Sequence, residues 1–243
     1  VLWLTDWPLG VPGEWTWTRI VHTPDSRWDS FLGIVQAGLT VGGVILVTWL
    51  GGRFFSRRQQ GNRRSQLVRA IGLLVLVGSG FLGTQLLQQS LPPGYGIGRS
   101  PWVLYYPGSS GYHFEARKVT SLDNFRQRYL AMLDDPDASR RTLHLGTHPP
   151  GLFLFHLAVR EACRNSPGIQ QTVLSWQPRR VREAQATILE GGRPIPPLDN
   201  ASLWLAALLT QLCVVVTVIP IYRLVRIDNP PEVAWRAASL WLL

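Results

Sequence analysis

Cysteine, methionine and charged residues are all scarce in this chain of 243 residues. The two cysteines, Cys163 and Cys213, are too few for a disulfide framework, and they indicate no redox compartment. The single methionine is Met132, and the chain begins at Val1 without an initiator, so we expect it to be a piece of a longer protein. Charged residues make up only 16% of the chain, as is typical of membrane proteins whose loops are polar.

Two further features are missing, and each excludes a class of protein. The first residues show no basic segment followed by a short apolar core and a cleavage site, so we predict no signal peptide. The net charge of +9 would suit a nucleic-acid-binding protein. However, the arginines cluster beside apolar segments instead of alternating with stacking aromatics in a polar domain. We therefore predict that nucleic acid is not a partner.

Long apolar segments predict membrane-spanning helices. Residues 31–50 contain no charged side chain over 20 residues. At 1.5 Å of rise per residue, a helix of that length matches the hydrocarbon core of a bilayer, about 30 Å thick. Residues 70–87 and 201–222 predict a second and a third span, and residues 235–243 predict the beginning of a further one.

The arginines predict the orientation of these spans. Residues 51–69 form a short loop without any acidic residue, and it contains Arg53, Arg57, Arg58, Arg63, Arg64 and Arg69. The positive-inside rule places this loop in the cytoplasm, together with residues 223–234, which follow the third span. It follows that the tryptophan-rich residues 1–30 and the long segment 88–200 face the periplasm or the exterior. We predict a multi-pass protein of the cytoplasmic (inner) membrane.

The long outer segment is predicted to contain juxtamembrane helices. Apolar residues recur mostly every three or four positions between 114 and 132, which predicts an amphipathic helix or a broken pair of helices. Pro149 and Pro150 predict that another helix begins at or just after Pro150 and extends to about residue 163. Its apolar run is too short to cross a bilayer, so we expect it at the interface. The prolines would hold His148 at the water boundary in a set orientation, as substrate positioning requires.

Three motifs follow one another along the chain: GYHFEARKV, then THPPGLFLFHLAV, then the span ASLWLAALLTQLCVVVTVIPIYRLVR followed by AWRAASLWLL. Their order over residues 70–243 resembles the GT-C superfamily of membrane glycosyltransferases, in the branch of the protein O-mannosyltransferases and the aminoarabinose transferases. The resemblance implies an all-α polytopic membrane protein with a GT-C-like helix bundle. It also implies transfer of a sugar from a polyprenyl-phosphate donor to an acceptor on the outer face, by an inverting displacement that uses no cofactor.

The resemblance implies a carboxylate as general base, with cationic or hydrogen-bonding groups that steady the departing phosphate. Glu115 in GYHFEARKV is the first choice for the base. Asp6 in TDWPLGVPGEW is its rival, because a helix before Val1 would place it on the first outer loop. The chain departs from the family in lacking the acid pair that usually follows the first span directly. The predicted substrate-binding residues are His148, Tyr112, Arg117, Lys118, Arg140, Arg141 and His144.

No metal site is predicted from the histidine pair His144 and His148. Their spacing of four suits a metal site only on a helix, and the two prolines begin a helix only after His148. No metal ligand is predicted elsewhere in the chain.

Two other functional classes stay open. In a noncatalytic scaffold, Glu115 would simply pair with Lys118 along an exposed helix. A transporter or channel subunit would need ionisable residues, broken helices or repeats in its spans. The predicted spans show no repeat, and their notable residues are Gln36, Gln85, Gln211 and Pro220. The sequence identifies no sugar, acceptor or protein partner.

Overall fold

The structure is a computed structural model that describes residues 10–11, 15–16, 24–56, 63–91, 96–106, 109–134 and 151–242. These residues are mostly helical, and they include three helices that are long and apolar enough to cross a membrane. The fold is therefore consistent with the predicted all-α membrane protein. The strands among these residues form two small antiparallel hairpins, β1 (Gly10–Val11) with β2 (Trp15–Thr16) and β3 (Leu189–Glu190) with β4 (Arg193–Pro194).

The first two long helices, α1 (Pro24–Ser56) and α2 (Arg63–Ser90), form an antiparallel pair. Each extends beyond its predicted apolar span at both ends. Gln36 donates a hydrogen bond of 3.1 Å from its side chain to the backbone oxygen of Leu86 in α2. Many large apolar side chains of both helices are exposed, as expected for helices that face lipid.

The third long helix consists of α9 (Pro197–Val216) and its continuation α10 (Val218–Val225). It runs antiparallel to α2. Gln85 donates a hydrogen bond to the side chain of Gln211, and Gln211 donates one of 2.8 Å to Gln88. These contacts place Gln211 close to the end of α2. Residues 197–210 therefore extend about 20 Å beyond the end of α2 along the axis of α9.

The last described helix, α11 (Pro231–Leu240), packs against α1 and α10. It begins before the predicted residue 235, because proline suits the first position of a helix. The indole nitrogen of Trp235 donates a hydrogen bond of 2.8 Å to the backbone oxygen of Thr48. The ring of Trp235 lies directly over Gly51, where a Cβ atom would collide with it. Glycine therefore allows α1 and α11 to approach closely.

The remaining helices form a unit beyond the end of α2, which we call the head unit. It comprises the described residues between 96 and 196 together with the first turns of α9. Its helices are α3 (Arg99–Tyr105), α4 (Tyr112–Ala116), α5 (Leu122–Asp134), α6 (Gly151–Asn165), α7 (Pro167–Ser175) and α8 (Arg179–Ala186). The segment 114–132 is thus a broken pair of helices, and α6 begins one residue after Pro150.

The first turns of α9 form the centre of the head unit, with α3, α6 and α7 packed around them. Ala201, Trp204 and Ala207 are buried there, in one apolar core with Cys163 and Val173. The small alanines let the surrounding helices approach closely. Burial of each larger apolar side chain contributes roughly 1.5–3 kcal/mol. These turns of α9 are covered by protein, although their sequence alone predicts a lipid-facing span.

Candidate functional site

The head unit contains two buried carboxylates, Glu115 and Asp199, and each lies between basic side chains. In the Glu115 cluster, Oε1 of Glu115 accepts a hydrogen bond of 2.6 Å from Lys118 Nζ, and Oε2 accepts one of 3.0 Å from Arg128 Nη2. The side chain of Glu115 is 8% exposed, whereas those of Lys118 and Arg128 are 39% and 36% exposed. Both oxygens of this buried carboxylate are therefore bonded to cations that reach solvent.

Local turns bring the members of the Glu115 cluster together. Gly111 precedes α4 with a φ of 73°, a left-handed conformation that glycine adopts without strain. After α4, the side chain of Ser121 accepts a hydrogen bond of 3.1 Å from the backbone nitrogen of Asn124, and this cap begins α5. The resulting change of chain direction places Arg128, on the second turn of α5, beside Glu115.

The Asp199 cluster lies at the beginning of α9 and is more deeply buried. Asp199 Oδ2 is 3.2 Å from Arg117 Nε, and Oδ1 is 3.2 Å from Arg160 Nε. The side chains of Asp199, Arg117 and Arg160 are 2%, 17% and 11% exposed. His113 Nε2 is 3.5 Å from Oδ1, which is long for a good hydrogen bond. This carboxylate joins helices α4, α6 and α9.

Arg117 has two further contacts, which connect the Asp199 cluster to the surface of the head unit. Its Nη2 lies 2.6 Å from the carboxylate of Glu190 in β3, and its Nη1 donates a hydrogen bond of 3.3 Å to the hydroxyl of Tyr105. The guanidinium is thus held from three sides. Arg117 is oriented by these partners and does not project freely from α4.

Two buried histidines lie at the contact between α4 and α6. The rings of His113 and His156 meet edge to face, with centroids 6.1 Å apart, and His156 also stacks on Tyr112. Burial, together with a smaller effect of the neighbouring His113, lowers the pKa of His156 to about 4. Burial also lowers the pKa of His113, although the nearby Asp199 opposes that change. Both imidazoles are therefore neutral at pH 7.

The structure separates the predicted site residues that it describes. Glu115 and Lys118 form an ion pair in the Glu115 cluster, as the scaffold alternative expects, but α4 ends before Lys118 and Glu115 is buried, so the pair does not lie along an exposed helix. Arg117 faces the Asp199 cluster instead, and Tyr112 is buried against His156. The other predicted site residues lie outside the described residues: Asp6, Arg140, Arg141, His144 and His148.

Sequence reasoning missed Asp199, Arg128, Arg160 and His113. One signal could have identified Asp199, because it is a charged residue in the first turn of an apolar helix, two residues after the last proline of PIPP. A charge at such a position needs a partner when it is buried, so a basic residue elsewhere in the outer segment was to be expected. The sequence did not indicate which one.

The two clusters differ in the chemistry they can support. A carboxylate held at a half-exposed cationic surface can accept a proton from a hydroxyl, and the cations beside it can bind a phosphate. The Glu115 cluster has this form, whereas both oxygens of Asp199 are enclosed by protein. Among the residues that the structure describes, no group of three or more His, Cys, Asp or Glu side chains is arranged to hold a metal ion.

Comparison with known proteins adds no relative. The chain matches no protein-family model, no curated protein and no solved structure. The resemblance to GT-C glycosyltransferases therefore stays a prediction from the order of motifs.

Proposed function

We propose that the chain is part of a GT-C-type membrane glycosyltransferase, which moves a sugar from a polyprenyl-phosphate donor to an acceptor on the outer face of the membrane. The observation that carries this proposal is the Glu115 cluster, in which a carboxylate lies between two half-exposed cations. The cluster belongs to a head unit built directly on candidate membrane helices. A base and a phosphate-binding surface are thus adjacent on a protein suited to lipid-linked substrates.

In the proposed reaction, Glu115 accepts the proton of the acceptor hydroxyl. The acceptor oxygen forms a bond to the anomeric carbon of the sugar as the bond between that carbon and the phosphate oxygen breaks. The electron pair of the broken bond leaves with the polyprenyl phosphate, whose negative charge Lys118 and Arg128 stabilise. Attack from the side opposite the leaving group inverts the anomeric configuration. The acceptor gains the sugar, and Glu115 later releases the proton to water.

The attachment of the head unit supports a substrate held in lipid. Arg180 of α8 donates hydrogen bonds to the backbone oxygens of Gln89 and Leu91 at the end of α2, where helix carbonyls lack partners within the helix. This contact fixes the head unit at the end of an apolar helix. Leu130 of α5 and Leu152 and Leu154 of α6 are exposed, which suits helices that lie against lipid headgroups.

The proposal is tested by measuring sugar transfer by the Glu115→Gln variant. Membranes that contain the complete protein would be incubated with a panel of polyprenyl-phosphate sugars, and labelled product would be measured. We expect Glu115→Gln to lower the rate about 10²–10⁴-fold, the usual effect of removing a general base. Glu161→Gln is the matched control, because Glu161 also forms an ion pair with a cation three residues away, Arg164, at 2.7 Å. The control should transfer sugar at the original rate, and full activity in Glu115→Gln would refute the proposal.

One observation favours a noncatalytic membrane scaffold as the second candidate. Both oxygens of Glu115 already accept hydrogen bonds from cations, as in an ion pair that only stabilises the fold. A scaffold would transfer no sugar from any donor, and it would retain its bound protein partner in Glu115→Gln. The same membranes can be used to measure both properties.

A further inference from the structure

The residues around Glu115 face two opposite sides of α4. His113 and Arg117 are four residues apart, and successive residues of a helix are rotated by about 100°, so these two side chains share one face. The backbone nitrogen of Arg117 donates to the oxygen of His113 at 3.1 Å, so the helical geometry continues to Arg117. Glu115 is two residues from each of them and therefore projects from the opposite face.

The face with His113 and Arg117 lies against Asp199, which is itself held firmly. The backbone nitrogen of Asp199 donates to the oxygen of Pro196 at 3.0 Å, and its backbone oxygen accepts a hydrogen bond of 3.1 Å from Ser202. Arg160 holds one carboxylate oxygen, and the other is left for Arg117. A fixed carboxylate on the longest helix of the head unit thus determines which face of the five-residue helix α4 turns inward.

We propose that Asp199 is a positioning residue that orients Glu115. By holding Arg117 and lying beside His113, it turns their face of α4 towards α9, and Glu115 is thereby directed towards Lys118 and Arg128. Asp199 itself contacts no substrate. The importance of this orientation for catalysis rests on the proposed function, whereas the orientation can be tested without any assay of sugar transfer.

Thiol labelling of Glu115→Cys measures the orientation directly. The parent would be the complete protein with Cys213→Ser, and the buried Cys163 would supply a background that is measured without Glu115→Cys. The side chain of Glu115 is only 8% exposed, so a thiol at this position should react slowly with a water-soluble maleimide. We expect Asp199→Asn to raise the labelling rate about tenfold, because α4 would then turn or open more often.

Two further variants distinguish orientation from general loosening of the fold. Arg117→Met removes the link from α4 but leaves Asp199 paired with Arg160, so the buried carboxylate keeps one cation. It should raise labelling about as much as Asp199→Asn does. Arg160→Met is the matched control, because it removes the other cation bonded to Asp199 but leaves the link between Asp199 and Arg117 intact. It should change the labelling rate less than about twofold. Equal labelling in all variants, or an equal rise in Arg160→Met, would overturn the proposal.

Sugar transfer then separates this inference from the function on which it rests. With Glu115 intact, Asp199→Asn should lower kcat and leave the KM of the donor nearly unchanged, because positioning acts on the chemical step. If labelling rises as expected but Glu115→Gln retains turnover, the orientation stands and the proposed function fails. If Glu115→Gln abolishes turnover but labelling does not rise, the proposed function stands and the positioning role fails.

Discussion

The Glu115 and Asp199 clusters both place one carboxylate between two cations, but their surroundings differ. Each contains one carboxylate bonded to two cations at 2.6–3.2 Å. The cations of Asp199 are mostly buried, whereas more than a third of each cation around Glu115 is exposed. Removing one member of a buried ion pair leaves an uncompensated charge away from water, but exposed cations can exchange one anion for another. Burial therefore distinguishes a fixed structural joint from a surface that can bind a ligand.

The largest difference is expected when each carboxylate is removed. Asp199→Ala should lower the free energy of unfolding by about 3–5 kcal/mol, because Arg117 and Arg160 lose their common partner while buried. Glu115→Ala should cost only about 1 kcal/mol, since water can solvate Lys118 and Arg128. Thermal unfolding in detergent, monitored by circular dichroism, measures both. Similar losses of stability in the two variants would contradict the distinction between the clusters.

Acid should weaken the side of α4 that faces Asp199. The folded pKa of His156 is about 4 and its ordinary value is 6.5, so the unfolded chain binds more protons between these values. Stability is therefore complete above about pH 6.5 and falls by up to about 1.4 kcal/mol per pH unit as the pH decreases towards 4. Melting temperatures from pH 7 to pH 5 would show this trend. The melting temperature of His156→Phe should depend less on pH. An unchanged dependence would refute the assignment of the acid effect to His156.

The smallest effect is expected at Glu190, the surface partner of Arg117. Its contact with Arg117, at 2.6 Å, is shorter than the 3.2 Å contact of Asp199 with the same guanidinium, but its side chain is 48% exposed. If burial and not distance determines the energy, Glu190→Gln should cost only about 0.5 kcal/mol. The free energies of unfolding of Glu190→Gln and Asp199→Ala, measured side by side by chemical denaturation, would test this. A loss comparable to that of Asp199→Ala would show that burial is not decisive.

The helices were easier to predict than the clusters, because helix signals are local in sequence. Apolar runs predicted the three long helices, and Pro149 with Pro150 predicted the beginning of α6. The predicted third span, 201–222, lies within the candidate membrane span Pro197–Val225. The first turns of α9 are as apolar as a span, but protein covers them, and composition does not distinguish burial in protein from exposure to lipid. Because the head unit packs around these turns, they belong to it as well as to the third long helix.

The membership of the clusters depends on contacts between distant residues. Spacing along the chain suggested the pair of Glu115 and Lys118, three residues apart, as the alternative to a catalytic role for Glu115. Asp199 and Arg117 are 82 positions apart in sequence, and no local pattern identifies such a pair. Arg117 was predicted to bind substrate together with Lys118, Arg140 and Arg141, but it lies against Asp199. The face of α4 on which each of them lies became clear only from the packing of α4 against α9.

The most direct test of the central claim is a comparison of sugar transfer by Glu115→Gln and Asp199→Asn in membranes, at a temperature at which both proteins are folded. If Glu115 is the exchangeable, catalytic carboxylate and Asp199 only positions it, Glu115→Gln should lose about 10²–10⁴-fold in rate, while Asp199→Asn retains a reduced but measurable rate. An unaltered rate in Glu115→Gln, together with complete loss in a folded Asp199→Asn, would contradict this division of roles.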